Sequence, residues 1–555
     1  MKRSAIIYLI FSLCFSVLVN SQSIVASKHN LSVSGTGTVK SMSENEICFF
    51  CHTNHGSKPE SPQWNRKNLG TVYTLYNSST MQALPGQPDG SSILCLSCHD
   101  GTIALGNVLS RRTTISFAKT TTMPSGLRNL STDLRDDHPI SFTYDAALAA
   151  SDGQLKTPAG IPSQIKLENN KLQCTSCHDP HLNLSTDYLV ASTQYSNLCN
   201  SCHQRTGWTA SSHSVSEKRW NGVAPNPWPY TPWTTVAQNA CESCHNPHNS
   251  GGIPFLLKYQ NEENNCLDCH NGNVAAKNIQ AEFSKTYTHN VYGYSGVHDP
   301  TEPGIIRTKH VECSDCHNPH AAKTQEATAP VVKGYNIGVI GVNQSGVTVN
   351  PVTYEYEICY RCHANNPATP PATPRQIIQN NVRLAFATTN PSYHPIVAAG
   401  VNTAITGLIP PLTASSIIYC TDCHASNGTS APKGPHGSIY PQILKYNYDR
   451  TSGYINTYTA YELCYQCHDQ TSTITKHQTI AESHGTITSC NTCHDPHGVS
   501  DTRGGNSINN RFLVNFNLNV VSKNSTGLLQ WSYFSPGKGN CNLNCHKKEH
   551  INATY

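Results

Sequence analysis

The sequence predicts an elongated, mostly irregular protein with short α-helices and few β-strands, organised around a chain of covalently held groups instead of an apolar interior. Three observations predict it. A cysteine–cysteine–histidine motif recurs twelve times, and the motifs fall into six pairs along the chain. The material for an ordinary core is also thin: hydrophobic residues are 37% of 555, with 36 Gly and 33 Pro, and the mean hydropathy is −0.42. A conventional chain of this length would form about three or four domains.

The motif carries the chemistry. In C-x-x-C-H, two thiols spaced by two residues can form thioethers to the two vinyl groups of a haem, and the adjacent histidine ligates the iron. The attachment residues are Cys48, Cys51 and His52; Cys95, Cys98 and His99; Cys174, Cys177 and His178; Cys199, Cys202 and His203; Cys241, Cys244 and His245; and Cys266, Cys269 and His270. They continue with Cys313, Cys316 and His317; Cys359, Cys362 and His363; Cys420, Cys423 and His424; Cys464, Cys467 and His468; and Cys490, Cys493 and His494. The last, Cys541, Cys545 and His546, has one extra spacer residue. Together they use 24 of the 25 cysteines. A disulfide scaffold gives no reason for a histidine after every second cysteine. A zinc protein needs two pairs per metal and leaves the histidines without a task. The sequence therefore predicts twelve haems c, and a multihaem cytochrome c fold.

The first cysteines of the pairs are separated by 47, 25, 25, 46, 44 and 51 residues, the signature of an internal repeat with loop insertions. The corresponding units are a signal peptide over 1–23 and haem-pair modules over 24–129, 130–210, 211–280, 281–370, 371–475 and 476–555. Apolar patches between the motifs, such as Tyr188-Leu189-Val190, Phe255-Leu256-Leu257 and Phe512-Leu513-Val514, predict strands or helical turns over haem edges. Residues 331–357 read as a small β-hairpin, and 367–374 as a proline-rich linker.

In five pairs the first motif continues to a second histidine three residues on: His55, His181, His248, His320 and His497. On a helical turn, residues three apart share a face. Such a histidine would sit on the proximal side of its own haem, so it is expected to ligate a neighbouring one. The fifth pair departs, and His436 is its expected substitute. Each pair also has a histidine upstream: His29, His138, His213, His394, one of His289, His298 and His310, and one of His477 and His484. His310 and His484 are taken for the two ambiguous groups, which spacing does not resolve. Of 28 histidines, twelve are proximal and these twelve distal, leaving four over. Beyond the leader the only methionines are Met42, Met81 and Met123. Bis-histidine ligation is expected to dominate.

Lys2 and Arg3, the apolar run 5–19, and the small Ser21 and Ser23 read as an export signal. The run falls short of the roughly 20 residues a spanning helix needs, and no later stretch is apolar enough to cross a membrane. Cys14 lies inside the run with a poor approach for lipidation. Haem attachment follows export, so leader and motifs agree on a location outside the cytoplasm. The formal charge of +4 falls to +2 without Lys2 and Arg3. Haem propionates then bring the holoprotein to about −10 oxidised and about −22 reduced. A basic face for nucleic acid is not expected.

Three functions compete. An electron conduit needs closely spaced, six-coordinate haems. A multihaem reductase needs an exchangeable position on one iron, and here every motif ends in histidine while distal candidates exceed demand. A protein using haem only as a staple would space its haems apart. The conduit is favoured, and no catalytic residue is assigned.

The stretches Lys28-His29-Asn30-Leu31-Ser32, Ile47–His55, Leu94–Gly101, the His-Pro-Ile segments and Cys-His-Asp-Pro-His resemble the doubled-CxxCH multihaem cytochrome family of bacteria that respire extracellular acceptors. The likeness runs through nearly the whole chain after the leader. It implies a periplasmic or outer-surface electron carrier working with other cytochromes, a porin–cytochrome complex of the outer membrane, or extracellular acceptors, with self-assembly into filaments among its options. Thr53-Asn54, the displaced His436 and the wider Cys541–Cys545 spacing depart from the pattern.

Overall fold

The computed structural model describes residues 24–555 except 55–62, 68–69, 183–184, 186, 297, 303–309, 366–372, 451–457, 474, 476, 478–488, 536–537, 546 and 555. The expected leader and proline-rich linker fall wholly or mainly outside the described residues, as do His55, His484 and His546.

Regular structure is short and local. The longest helix among the described residues is Gly90–His99, and most paired strands have two residues. The hairpin expected within 331–357 forms from Gly341–Val342 against Thr348–Val349. Apolar packing is divided among small clusters, such as Val342 with Tyr360, Phe386 and Tyr393. No described helix is long and apolar enough to cross a membrane.

Four of the six first motifs share one local design. Cys174–Cys177, Cys313–Cys316, Cys420–Cys423 and Cys490–Cys493 are single helical turns. Each ends at its second cysteine, and the following histidine is extended, as at His178 (φ −122°, ψ 137°) and His317 (φ −129°, ψ 129°). In most first motifs a proline two residues past that histidine discourages the intervening residue from helical geometry. The two histidines of H-x-x-H therefore do not share a helical face, contrary to the premise of the sequence reading.

Successive pairs are tied together at helix N-termini. A polar side chain from the second motif of one pair accepts a backbone N–H from the first turn of the next. Ser92 Oγ takes Cys174 N at 3.0 Å, Ser196 Oγ takes Cys241 N at 3.0 Å, Glu262 Oε1 takes Ser314 N at 2.8 Å, and Glu355 Oε1 takes Thr421 N at 3.1 Å. All four side chains are buried. They satisfy donors that a helix start leaves without intrahelical partners.

The C-terminal region departs from the expectation of few strands. Val521–Ser522, Gln530–Ser535, Lys538–Cys545 and Lys548–Thr554 form a four-stranded antiparallel sheet. Val521, Leu543 and Cys545 are buried against Val514 and Phe516. The cause is visible locally: Trp531, Tyr533 and the apolar Leu543 suit a pleated, half-buried surface.

Candidate haem array

The structure brings imidazoles together in facing pairs. At the first motifs, His52 faces His181 (ring centroids 6.1 Å apart), His178 faces His248 (6.1 Å), His245 faces His320 (6.2 Å), His317 faces His436 (6.1 Å) and His424 faces His497 (6.2 Å). Each downstream histidine thus meets the first motif of the preceding pair. At the second motifs, His99 faces His29 (6.1 Å), His203 faces His138 (6.3 Å), His270 faces His213 (6.3 Å) and His363 faces His289 (6.2 Å), all partners from upstream in the same pair. His494 of the sixth pair faces His477 (6.1 Å).

This spacing tests whether a haem iron fits. With metal–imidazole bonds of about 2.0 Å and each ring centre about 1.1 Å behind its nitrogen, two axial imidazoles on one metal have centroids about 6.2 Å apart. Parallel rings can stack more closely, as in His29 over Tyr188 at 4.5 Å, and edge-to-face rings also lie about 6 Å apart; what marks these pairs is that each joins a motif histidine to a second imidazole at nearly one distance. Ten histidine pairs at 6.1–6.3 Å match a metal between them.

Second interactions fix which nitrogen is free. His178 Nδ1 meets the Asp187 carbonyl at 2.7 Å, His245 that of Phe255 at 2.9 Å, His317 that of Tyr335, His424 that of Gln442 and His494 that of Phe512, each at 2.8 Å. Donation from Nδ1 leaves Nε2 as the ligating atom. Phe255 and Phe512 lie in the apolar patches and Asp187 directly precedes one, so three of these carbonyls come from the patches or their edge. In four of the five, the carbonyl lies at or beside left-handed backbone, at Tyr188, Phe255, Gln442 and Phe512. Left-handed non-glycine residues are uncommon, and here they aim a carbonyl at a ring.

The proline of the H-x-P-H stretch has a second use. His213 Nδ1 donates to Pro319 O at 2.9 Å and His394 Nδ1 donates to Pro496 O. The backbone of Pro180 accepts from His29, and that of Pro435 from His289. One such loop therefore offers a ring to the first motif of the preceding pair while orienting the upstream histidine of that pair. Withdrawal from water, reinforced by neighbouring imidazoles, lowers His29 to about 4 and His203, His320 and His436 to about 3, so these rings are neutral, the form that binds metal.

The thiols give the order of the motifs in space. Between pairs, Cys95 hydrogen-bonds Cys174, Cys199 Cys241, Cys266 Cys313, Cys359 Cys420, and Cys464 Cys490. Within pairs, the thiols of Cys51 and Cys98, Cys177 and Cys202, Cys244 and Cys269, Cys316 and Cys359, Cys423 and Cys467, and Cys493 and Cys541 lie within electrostatic reach. The motifs thus follow one another in sequence order, hydrogen-bonded between pairs and within electrostatic reach inside them.

Residues 233–392 match the family described as outer membrane cytochrome MtrC/MtrF-like, domains II/IV, and residues 168–207 and 411–473 match the doubled CXXCH motif family. The chain is a multihaem c-type cytochrome. No curated protein matches it.

Two features of this cytochrome depart from the sequence reading. His310 does not face a proximal histidine: its Nε2 lies 3.1 Å from Glu302 Oε1, and His289 takes the place opposite His363. The reason is that His289 follows the strand Tyr287–Thr288, which pairs with Gly437–Ser438 directly after His436. The same sheet thus sets both rings. The second departure is the last motif. Cys541 and Cys545 lie on a strand, opposite Trp531 and Val521 respectively. Four residues of strand span about 13 Å, whereas a helical turn brings its thiols' Cβ atoms to about 5–6 Å. In this conformation the twelfth motif does not form the cradle the other eleven share.

Proposed function

We propose that this cytochrome is an electron conduit in respiratory or extracellular electron transfer, with haems held in sequence order and bis-histidine ligated. The observation that carries the reading is the row of ten histidine pairs at 6.1–6.3 Å along motifs that follow one another in sequence order. Bound haem supplies a centre that alternates between ferric and ferrous. The chain's own residues hold it: cysteines anchor the edge, the proximal histidine is oriented by a backbone carbonyl, and the distal ring comes from a neighbouring loop. By the same pattern His394, held by Pro496, serves His468. The ligand pairs above and the twenty-four motif cysteines are the proposed haem-binding residues.

No reductase activity is proposed. A reductase needs an iron with an exchangeable position, and an imidazole stands opposite each of ten proximal histidines. Reduction of a partner cytochrome or an extracellular acceptor requires only an exposed haem edge. The export leader and the outer-membrane family match support a location in the periplasm or at the outer surface, with redox proteins as partners.

Near-infrared magnetic circular dichroism of the oxidised holoprotein tests the conduit. Low-spin bis-histidine signals accounting for all haems are expected, and a high-spin haem would replace the conduit with an enzyme. The count is tested separately by intact mass. Twelve haems are expected from the motifs. Eleven would mean that Lys538–Cys545 keeps its strand and its thiols stay free.

A further inference from the structure

The two central surplus histidines, His298 and His310, converge on one buried acidic cluster beside the seventh motif. His298 Nδ1 lies 3.3 Å from Glu312 Oε2 and 3.5 Å from Asp315 Oδ1, and these side chains are 8%, 4% and 7% exposed. His310 Nε2 lies beside Glu302, with Asp315 shared between the two groups. Arg361 is 2% exposed and reaches Asp315 Oδ1 at 2.9 Å and Glu302 Oε2 at 3.2 Å.

Two properties of the cluster need an explanation. First, His298 Nδ1, His310 Nε2 and Glu312 Oε1 are buried without a hydrogen-bond partner. The contacts are close but lack donor–acceptor alignment, and buried polar atoms are ordinarily satisfied. Second, three carboxylates face one guanidinium. With neutral imidazoles the cluster carries two uncompensated negative charges, in a place where an unpaired charge is costly. Nearby Glu262 adds a carboxylate, though backbone N–H groups of His298 and Ser314 bind both of its oxygens.

We propose that His298, Glu312 and Asp315 bind a divalent first-row transition-metal ion, separate from the haems. One imidazole and two carboxylates are a ligand set for such ions. Around a metal with ligand bonds of about 2.1 Å, neighbouring donor atoms are about 3.0 Å apart in octahedral and about 3.4 Å apart in tetrahedral geometry. The observed 3.3 and 3.5 Å separations are of that size. A dication cancels the two surplus charges, and donors that fail as hydrogen bonds converge on one point. Asp315 and Glu312 are fixed for this by the chain: Asp315 Oδ2 accepts from Glu312 N at 2.8 Å across the attachment turn. The ion would join the loop around His298 to the turn Cys313–Cys316.

The test uses chelator-treated holoprotein dialysed against zinc chloride, with zinc and iron counted by inductively coupled plasma mass spectrometry. One zinc per chain is expected in the wild type, with a higher melting temperature than the zinc-free protein. His298→Gln and Glu312→Gln should each lose that zinc while keeping the wild-type haem content. Absence of stoichiometric zinc in the wild type overturns the proposal. Zinc retained in both variants overturns it as well, because the ion would then sit elsewhere. Should a variant lose haem, the zinc-dependent melting shift of the wild type still decides, since no shift with zinc means no site.

Discussion

At the scale of single residues, the assignments separate histidines that spacing could not. His289→Ala removes the ring opposite His363 and should convert one haem to a high-spin form, read by electron paramagnetic resonance. His310→Ala removes a ring that faces Glu302, and should leave the spin state of every haem unchanged. A high-spin signal from His310→Ala and none from His289→Ala would reverse the assignment. The proximal candidates were legible in the sequence, because thioether chemistry keeps each of them next to the second cysteine of its motif. The sequence did not expose the choice among His289, His298 and His310, because the deciding contact is a two-residue strand pairing with Gly437–Ser438. One local signal was available: Glu302, Glu312 and Asp315 cluster around His298 and His310 but not around His289.

At the scale of the element, the attachment turns depend on side chains from the preceding pair. Glu355 Oε1 accepts from both Thr421 N (3.1 Å) and Thr421 Oγ1 (2.8 Å). Glu355→Ala leaves those donors buried and should destabilise the protein by about 2 kcal/mol, measured as a lower unfolding midpoint. Glu355→Gln keeps a carbonyl acceptor and should recover most of the loss. If alanine has no effect, the cap is not a stabilising contact. The turns themselves were legible, since Cys-x-x-Cys needs both thiols on one side. The reason for the H-x-P-H stretch was not. The helix stops at the second cysteine, so the second histidine is presented by extended backbone and a proline carbonyl, and helical periodicity does not apply. The C-terminal sheet was missed for another reason: the last motif was read by its cysteines, while alternation in Gln530–Ser535 and pairing with Lys538–Cys545 decide the local fold.

At the scale of the whole molecule, the facing rings of the first motifs cross from pair to pair in one direction. His436→Ala in the full chain removes the ring opposite His317 but keeps the Gly437–Ser438 strand that places His289 opposite His363. It should show one high-spin haem in the fourth pair, at the first motif and not the second, by magnetic circular dichroism. Two low-spin haems there would mean another residue can replace His436. The grouping of motifs into pairs was readable from repeat spacing alone. The direction of ligand exchange was not, because the H-x-x-H spacing points to a neighbouring haem without showing whether it belongs to the same pair, the preceding one or the next.

That offset has an evolutionary consequence. A unit that donates one ring backwards and receives one from its successor leaves the ligand balance unchanged when it is copied in tandem. Each duplicate caps its predecessor and is capped by the next, so the line can lengthen by whole pairs without any iron losing a partner. The sixth pair differs from the others in one respect: the ring opposite His494 of its first motif is His477, supplied from within the pair.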